Sequence, residues 1–372
     1  MLEYTHVKNF KTLADTDFPL TALNVFSGLN GMGKSSLIQT LLLLRQSYEQ
    51  QTLLKDGLIL NGNYIELGVG KDIFSIDSED ETIEFLLKWQ ERPEIDQFVF
   101  SYQSDANLLP FQSKKTVEDC IAFFSLNLFN DHFGYLSAER LGPRTQHELS
   151  EYHVKNKGIL GNHGEYTVHY IAMHGSRPLA IPALQHHRAH NNTLLANIEA
   201  WMSELSPGLK IQATSHPKFN SATLHYAFLQ GNDRTAYFKP QNVGFGLSYI
   251  LPVITLILSA QPGDLLIIEN PESHLHPAGQ SLMGRLCALA AQAEVQLIVE
   301  SHSDHFLNGI RVAVKQQMIP PEQVSLFFLQ RSADTQIHAS EVISPKIDSA
   351  GRIDQWPVGF FDEWDNQLEQ LL

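Results

Sequence analysis

Cysteine is nearly absent from these 372 residues, and long apolar runs are missing altogether. The two cysteines, Cys120 and Cys287, lie far apart in apolar, helix-like surroundings, so neither a disulfide framework nor a thiolate metal knuckle is expected of them. No stretch reaches the roughly 18 uninterrupted apolar residues that would span a bilayer, so no membrane partner is expected. The opening M-L-E-Y-T-H-V-K lacks the charged-then-apolar pattern of a secretory signal, which leaves a cytoplasmic location. Basic residues are scarce: 26 Lys and Arg stand against 41 Asp and Glu, a formal net charge of −15. Such a molecule repels polyanions as a whole. Nucleic acid is therefore not indicated, although a local basic groove or a dimer seam leaves it open.

What is present is a hydrophobic content of 43%, enough to bury one large core or two medium ones. Histidine is abundant, with 17 residues, and H-H-R-A-H at 186–190 invites a metal reading. No acid or cysteine stands near it in sequence, so a solvated loop is the expectation there.

Along the chain, Tyr4 to Phe10 alternates as a strand, T-D-F-P (16–19) reads as a turn, and Ala22 to Ser27 is a short apolar strand. Ser35 to Tyr48 has a broad apolar face and no proline, hence a helix. Residues 57–135 form a β-rich and helical insertion, with a helix expected over Thr116–His132 and a strand over Gly134–Ala138. Residues 145–240 form a second insertion. It is irregular and rich in Gly, His and Asn to 192, then helical over Thr193–Leu205 and strand-like over Ile211–Phe238. From 240 to 330 apolar helices alternate with continuously apolar strands, at Leu265–Ile268, Gln296–Val299 and Val324–Gln330. That pattern implies a parallel or mixed central sheet covered by helices, an α/β fold with a β-rich N-terminal subdomain. Residues 331–372 are a C-terminal extension.

Gly28 to Ser35, G-L-N-G-M-G-K-S, satisfies G-x-x-x-x-G-K-[ST] and has the context that motif needs, an apolar strand before it and a helix after it. Backbone N–H groups and the helix dipole then converge where phosphate oxygens bind. Asn30, Gly31, Gly33, Lys34, Ser35 and Ser36 are the residues expected to hold ATP. Lys34 would reach the β- and γ-phosphates, and the Ser35 hydroxyl would bind Mg²⁺. Leu265–Ile268 ends in Glu269, Asn270, Pro271 and Glu272, an apolar strand tipped by acids, which makes Glu269 a second Mg²⁺ ligand. The next strand ends in E-S-H-S and sets His302 at its tip, where a side chain can contact a γ-phosphate. N-V-G-F-G-L-S (242–248) is a glycine-rich turn opening a helix, a further helix N-terminus suited to an anion.

These elements, in this order, resemble the ABC-type ATPase heads of the SMC, RecF and OLD-like branch of AAA-family ATPases. The matching stretches are G-L-N-G-M-G-K-S, V-G-F-G-L-S-Y-I-L-P-V-I, L-L-I-I-E-N-P-E-S-H-L-H-P and V-E-S-H-S-D-H-F-L-N-G-I-R. V-K-N-F-K-T-L and Y-L-S-A-E-R-L-G-P-R are similar to the same bacterial group, which includes PtuA-like defence ATPases, and W-P-V-G-F-F-D-E resembles a short C-terminal domain of unknown function. The resemblance implies one head over 1–372 and a homodimer or higher homo-oligomer with ATP sandwiched between heads. Gly244, Gly246 and Ser248 of one chain would cap the γ-phosphate held by the other. It also implies a separate effector protein, such as a nuclease, in anti-phage defence; only about seventy residues follow His302, few for a nuclease domain.

Two departures stand out. Asn270 occupies the place of the usual catalytic glutamate, so Glu272 takes the role of hydrolytic base or turnover is slow. Tyr249 stands where a glutamine is expected. Of Glu139, Arg140 and Arg144, either one senses nucleotide or the neighbouring subunit, or they form a surface salt-bridge cluster. Two alternatives remain: a RecF-like head that binds DNA directly, and a nucleotide-binding scaffold with negligible turnover.

Overall fold

Alternation of apolar and polar residues begins the fold. β1 (Leu2–Phe10) and β2 (Leu13–Pro19) pair antiparallel, Tyr4 opposite Pro19 and Phe10 opposite Leu13. The T-D-F-P run expected as a turn lies inside β2. Leu13, Thr16 and Phe18 are buried there while Asp15 and Asp17 are exposed, a period of two that the strand satisfies. Pro19 is tolerated because β2 is the edge of its sheet, where no ladder bond is lost. The chain reverses earlier, at Lys11, which takes a left-handed φ of 54°.

The computed structural model describes residues 1–29, 31–78, 80–112, 125–231, 233–332 and 338–371. They form two compact units, one of Met1–Phe133, Pro321–Asp348 and Arg352–Leu372, the other of Gly134–Pro320 and Ser349–Gly351.

In the first unit β3 (Leu23–Gly28) leads to α1 (Lys34–Glu49). β4 (Gly57–Ile59), the one-turn α2 (Gly70–Ile73), β5 (Thr82–Trp89), β6 (Ile95–Ser101) and β7 (Leu108–Pro110) follow. β2, β1, β5 and β6 make a four-stranded antiparallel sheet in that order. Of the helix expected over Thr116–His132, residues 116–124 lie outside the described residues and 125–132 form turns.

The second unit takes up the chain near β8 (Phe133–Leu136) and continues through β9 (Gln146–Glu148), α3 (Thr167–His174) and α4 (Leu194–Ser203). The stretch expected to be irregular therefore contains a helix. Its polar-looking histidines hide the apolar face, because His169 and His174 are buried beside Val168 and Ile171. β10 (Leu209–His216), β11 (Ser221–Gln230) and β12 (Asp233–Arg234) form an antiparallel sheet that β9 joins.

Next come α5 (Phe245–Ser259), β13 (Leu265–Glu269), α6 (Pro277–Gln292), β14 (Gln296–Glu300) and α7 (Asp304–Lys315). β13 and β14 run parallel, Leu265 beside Gln296 and Glu269 beside Glu300. Both are buried along nearly their whole length, as continuously apolar strands require.

The chain then returns to the first unit with β15 (Val324–Arg331), β16 (Ser340–Ile343) and α8 (Glu363–Leu371). β15 pairs parallel with β3 and antiparallel with β16, a mixed sheet. Phe26 of β3 stacks on Phe327 of β15 at 4.7 Å, with Phe18 edge-on to Phe327, and so anchors the strand that carries the glycine loop. The fold is mixed α/β with an antiparallel N-terminal sheet. Among the described residues no helix is long and apolar enough to cross a membrane.

Candidate functional site

The first unit carries the phosphate loop. Gly31 and Gly33 take φ of 78° and 79°, the left-handed region that a side chain rarely adopts, and a Cβ on Gly33 would come within 2.5 Å of Thr12 Oγ1. Backbone conformation favours glycine at both positions, and space adds to it at Gly33. Asn30 lies outside the described residues. Lys34 begins α1, is 4% exposed, and its Nζ donates to the Leu29 carbonyl at 2.8 Å. Ser36 N–H donates to the Gly33 carbonyl at 2.9 Å. No acidic residue stands in the first turn of α1, so its N-terminal dipole is unopposed.

Gly31, Gly33, Lys34, Ser35 and Ser36 line a cleft of about 230 Å³ together with Lys11, Thr12 and Gln39. These last three were not singled out from the sequence. The available signal was K-T at the reversal between the first two strands, immediately before an edge strand. Lys11 Nζ donates to Gln39 Oε1 at 2.7 Å, and burial pushes its amine below the usual lysine range. On the other side the Ser340 hydroxyl donates to the Met32 carbonyl at 3.0 Å and pins the loop to β16. A helix N-terminus, two ammonium groups and several hydroxyls around one cleft fit a polyphosphate.

The second unit carries the carboxylates. Glu269, at the tip of β13, accepts from the Tyr135 hydroxyl at 2.9 Å and from the Ala138 N–H at 3.1 Å. Burial raises its carboxyl above the usual range, with those two donors pulling it down. Its register partner Glu300, 6% exposed, places a second carboxylate at the neighbouring tip. Paired carboxylate oxygens are the donors a hard divalent cation takes, so the residues fit Mg²⁺.

Asn270 is left-handed, φ 45°, with its N–H donating to the Glu300 carbonyl at 2.8 Å. Glu272 is 5% exposed, accepts the His302 N–H at 2.9 Å, and has its carboxyl raised by burial. The His302 side chain is 42% exposed, and its Nε2 lies 3.7 Å from Glu300 Oε1. Glu269, Glu272 and His302 thus gather at the tips of β13 and β14, with Glu300 as an addition the sequence reading did not assign.

Gly244 caps α5 with open space around it, and Phe245 beside it is 46% exposed. Gly246 lies against the His274 carbonyl, and Ser248 is buried at 8% exposure. The exposed part of this turn is therefore Gly244 and Phe245.

Two readings need correction. Arg140 neither faces solvent nor forms a surface salt bridge. It is 5% exposed and donates to the carbonyls of Ser137 (2.9 Å), Glu269 (2.6 Å) and Asn270 (2.6 Å), because buried carbonyls at a strand end need a donor that can fork. And an acid does stand beside H-H-R-A-H: the fold brings Glu204, at the end of α4, to 3.1 Å from His186 Nε2. His186, His187 and Glu204 could geometrically hold a metal ion. However, the Arg188 N–H donates to His186 Nδ1 at 3.2 Å, which leaves the ring proton on Nε2 for Glu204, and Arg188 pairs with the same carboxylate. The group is satisfied by hydrogen bonds.

Residues 1–158 match the family described as "AAA ATPase domain", and residues 164–308 the one described as "AAA domain, putative AbiEii toxin, Type IV TA system". By these matches the chain is an AAA-type ATPase. Residues 319–371 match "Protein of unknown function (DUF3696)". No curated protein matches this ATPase in sequence. Among solved structures its fold is similar to an SMC head bound to the C-terminal winged-helix domain of ScpA, with 13% identity, a TM-score of 0.57, and 93% of this chain and 98% of that one covered. It is also similar to an SMC head with an extended coiled coil bound to the C-terminal domain of ScpA derived from Pyrococcus furiosus, with 13% identity, a TM-score of 0.52, and 100% and 99% covered. The ATPase therefore has the SMC-head fold expected of it.

Proposed function

We propose that this ATPase is the nucleotide switch of a two-headed machine. ATP binds with its phosphates on the Gly31–Ser36 loop, with Lys34 on the β- and γ-phosphates. Ser35 and Glu269 serve Mg²⁺, which when bound neutralises the developing phosphate charge. His302 serves the γ-phosphate, and Glu272 is the hydrolytic base in place of Asn270. The γ-phosphate is capped by the Gly244–Ser248 turn of a second chain, so the dimer closes with ATP and opens after hydrolysis. The observation that carries this reading is the glycine loop itself, left-handed at Gly31 and Gly33 and opening an acid-free helix N-terminus.

The finer role is control of a separate effector, for example a nuclease, in anti-phage defence of the PtuA-like kind. The match to a domain described with a putative toxin of a type IV system supports it. This last step is by analogy.

Steady-state hydrolysis and ATP binding by wild type, Lys34→Ala and Glu272→Gln test the core of the reading. Wild type should bind and hydrolyse, Lys34→Ala should lose binding, and Glu272→Gln should bind without turnover. Tight binding with equal, near-zero rates in wild type and Glu272→Gln would favour the scaffold reading that Asn270 motivates.

A further inference from the structure

The following rests on the nucleotide sandwich proposed above. Tyr249 stands in the first turn and a half of α5, the helix whose opening turn caps the partner's nucleotide, yet it is only 9% exposed. Its hydroxyl donates to the Ala138 carbonyl. Its ring lies 4.4 Å from the Arg140 guanidinium carbon, with Phe245 at 5.8 Å and His274 at 4.6 Å completing the packing. The same guanidinium donates to the carbonyls of Glu269 and Asn270. One buried cation therefore holds α5 by a ring face and the β13 tip by two carbonyls.

A planar fork held on both sides has little freedom. Displacing Tyr249 either strips the cation–π contact or drags the two carbonyls, and both are costly in a site shielded from water. Gly246 adds a second linkage. A Cβ there would come within 2.5 Å of the His274 carbonyl, so the turn cannot shift without pushing on the Asn270–His274 loop. That loop has a left-handed non-glycine residue at each end, Asn270 at φ 45° and His274 at φ 63°, conformations that persist only while their surroundings hold them.

We infer that Arg140 and Tyr249 are positioning residues that make the Gly244–Ser248 turn and the Glu269–Glu272 segment of one chain move as one piece. When the turn closes on the partner's ATP, it resets the carboxylates that serve the chain's own ATP. The two sites of the dimer are thereby coupled, and the coupling is reciprocal. Tyr249 acts inside its own head; it is not a nucleotide contact.

The test uses the full chain as wild type, Tyr249→Phe, Tyr249→Leu and Arg140→Lys. ATP binding and turnover are followed against ATP concentration, and ATP affinity is also measured at protein dilutions that keep the chain monomeric. Wild type should show a Hill coefficient approaching about two, the number of sites in the dimer. Tyr249→Leu and Arg140→Lys should bring it to about one and lower kcat about tenfold while monomer affinity stays unchanged. Tyr249→Phe keeps the ring face and should retain most of the cooperativity. A purely structural role would lower the active fraction and leave the Hill coefficient alone, and that result overturns the inference. So does a wild type that dimerises with ATP but has a Hill coefficient of one. Failure of wild type to bind ATP or to dimerise with it would instead sink the sandwich itself, a result visible without any variant.

Discussion

Asn270 sits at the tip of β13 with an amide where a carboxylate would take a proton from water, and its left-handed φ of 45° turns the chain toward Glu272. Glu272, 5% exposed and accepting the His302 N–H, is the carboxylate we propose in its place. Removing a general base costs about 100-fold or more, so Glu272→Gln should drop kcat by at least that factor with ATP affinity intact, read by phosphate release and equilibrium binding. The second residue-scale prediction concerns Gly33. Alanine there must hold φ near 79° and meet Thr12 Oγ1 at 2.5 Å. The backbone strain alone is about 1–2 kcal/mol. Gly33→Ala should therefore weaken ATP binding at least tenfold, whereas Gly31→Ala, equally left-handed but with nothing within 4 Å, should lose less. Titration calorimetry on both separates strain from contact. At this scale the loop, Glu269, Glu272 and His302 were legible in the sequence as a candidate site because each lies at or just after the end of an apolar strand. Lys11 and Thr12 were less so, because they reach the cleft by strand pairing and hairpin geometry, whereas Glu300 ends the apolar β14 and carries the same signal as Glu269.

At the scale of elements the histidine-rich stretch behaves differently from its sequence pattern. A polar, glycine-rich run reads as irregular, yet α3 forms because His169 and His174 are buried as neutral rings. Burial, the largest cause in each case, lowers the proton affinity of His147, His169, His174 and His186. His147 falls from 6.5 to about 4. The charges nearby divide: Arg144, Arg177 and Arg188 lower these groups, while Glu151 and Glu204 raise theirs. The unfolded chain takes up its histidine protons near pH 6.5, before the folded one does. Stability is thus fully present above pH 6.5 and is lost as pH falls toward 4. His147 alone should account for on the order of 1–3 kcal/mol of that loss. Urea unfolding at pH 7.5 and 5 should show the drop, and His147→Leu should flatten it; an unchanged slope would refute the assignment. By contrast the parallel pair β13 and β14 was legible almost to the residue, since continuously apolar strands alternating with helices have one reading. The turn expected at T-D-F-P failed because composition outweighed a two-residue period that the strand in fact uses.

At the scale of the whole molecule, the proposed dimer would use two helix N-termini of the chain. One unit holds the phosphate loop at the unopposed N-terminus of α1, and the other offers a second helix N-terminus, that of α5, whose first residues are exposed. Gly244 at that cap has φ −58°, and a Cβ added there would meet nothing within 4 Å, so it accepts substitution without strain. Ser248 is a poorer probe, being 8% exposed, and a large residue there would disturb the helix. Gly244→Glu places a carboxylate where the partner's γ-phosphate is proposed to sit, and a negative charge at that distance opposes closure while helping the isolated helix. ATP with Mg²⁺ should raise the mass of wild type from one chain toward two in light scattering. Gly244→Glu should stay at one chain, melt no lower than wild type, and bind ATP as a monomer with unchanged affinity. If the variant still doubles its mass with ATP, the cap is not at this turn. If wild type is a dimer with and without nucleotide, the heads are held by other surfaces and ATP only changes their spacing.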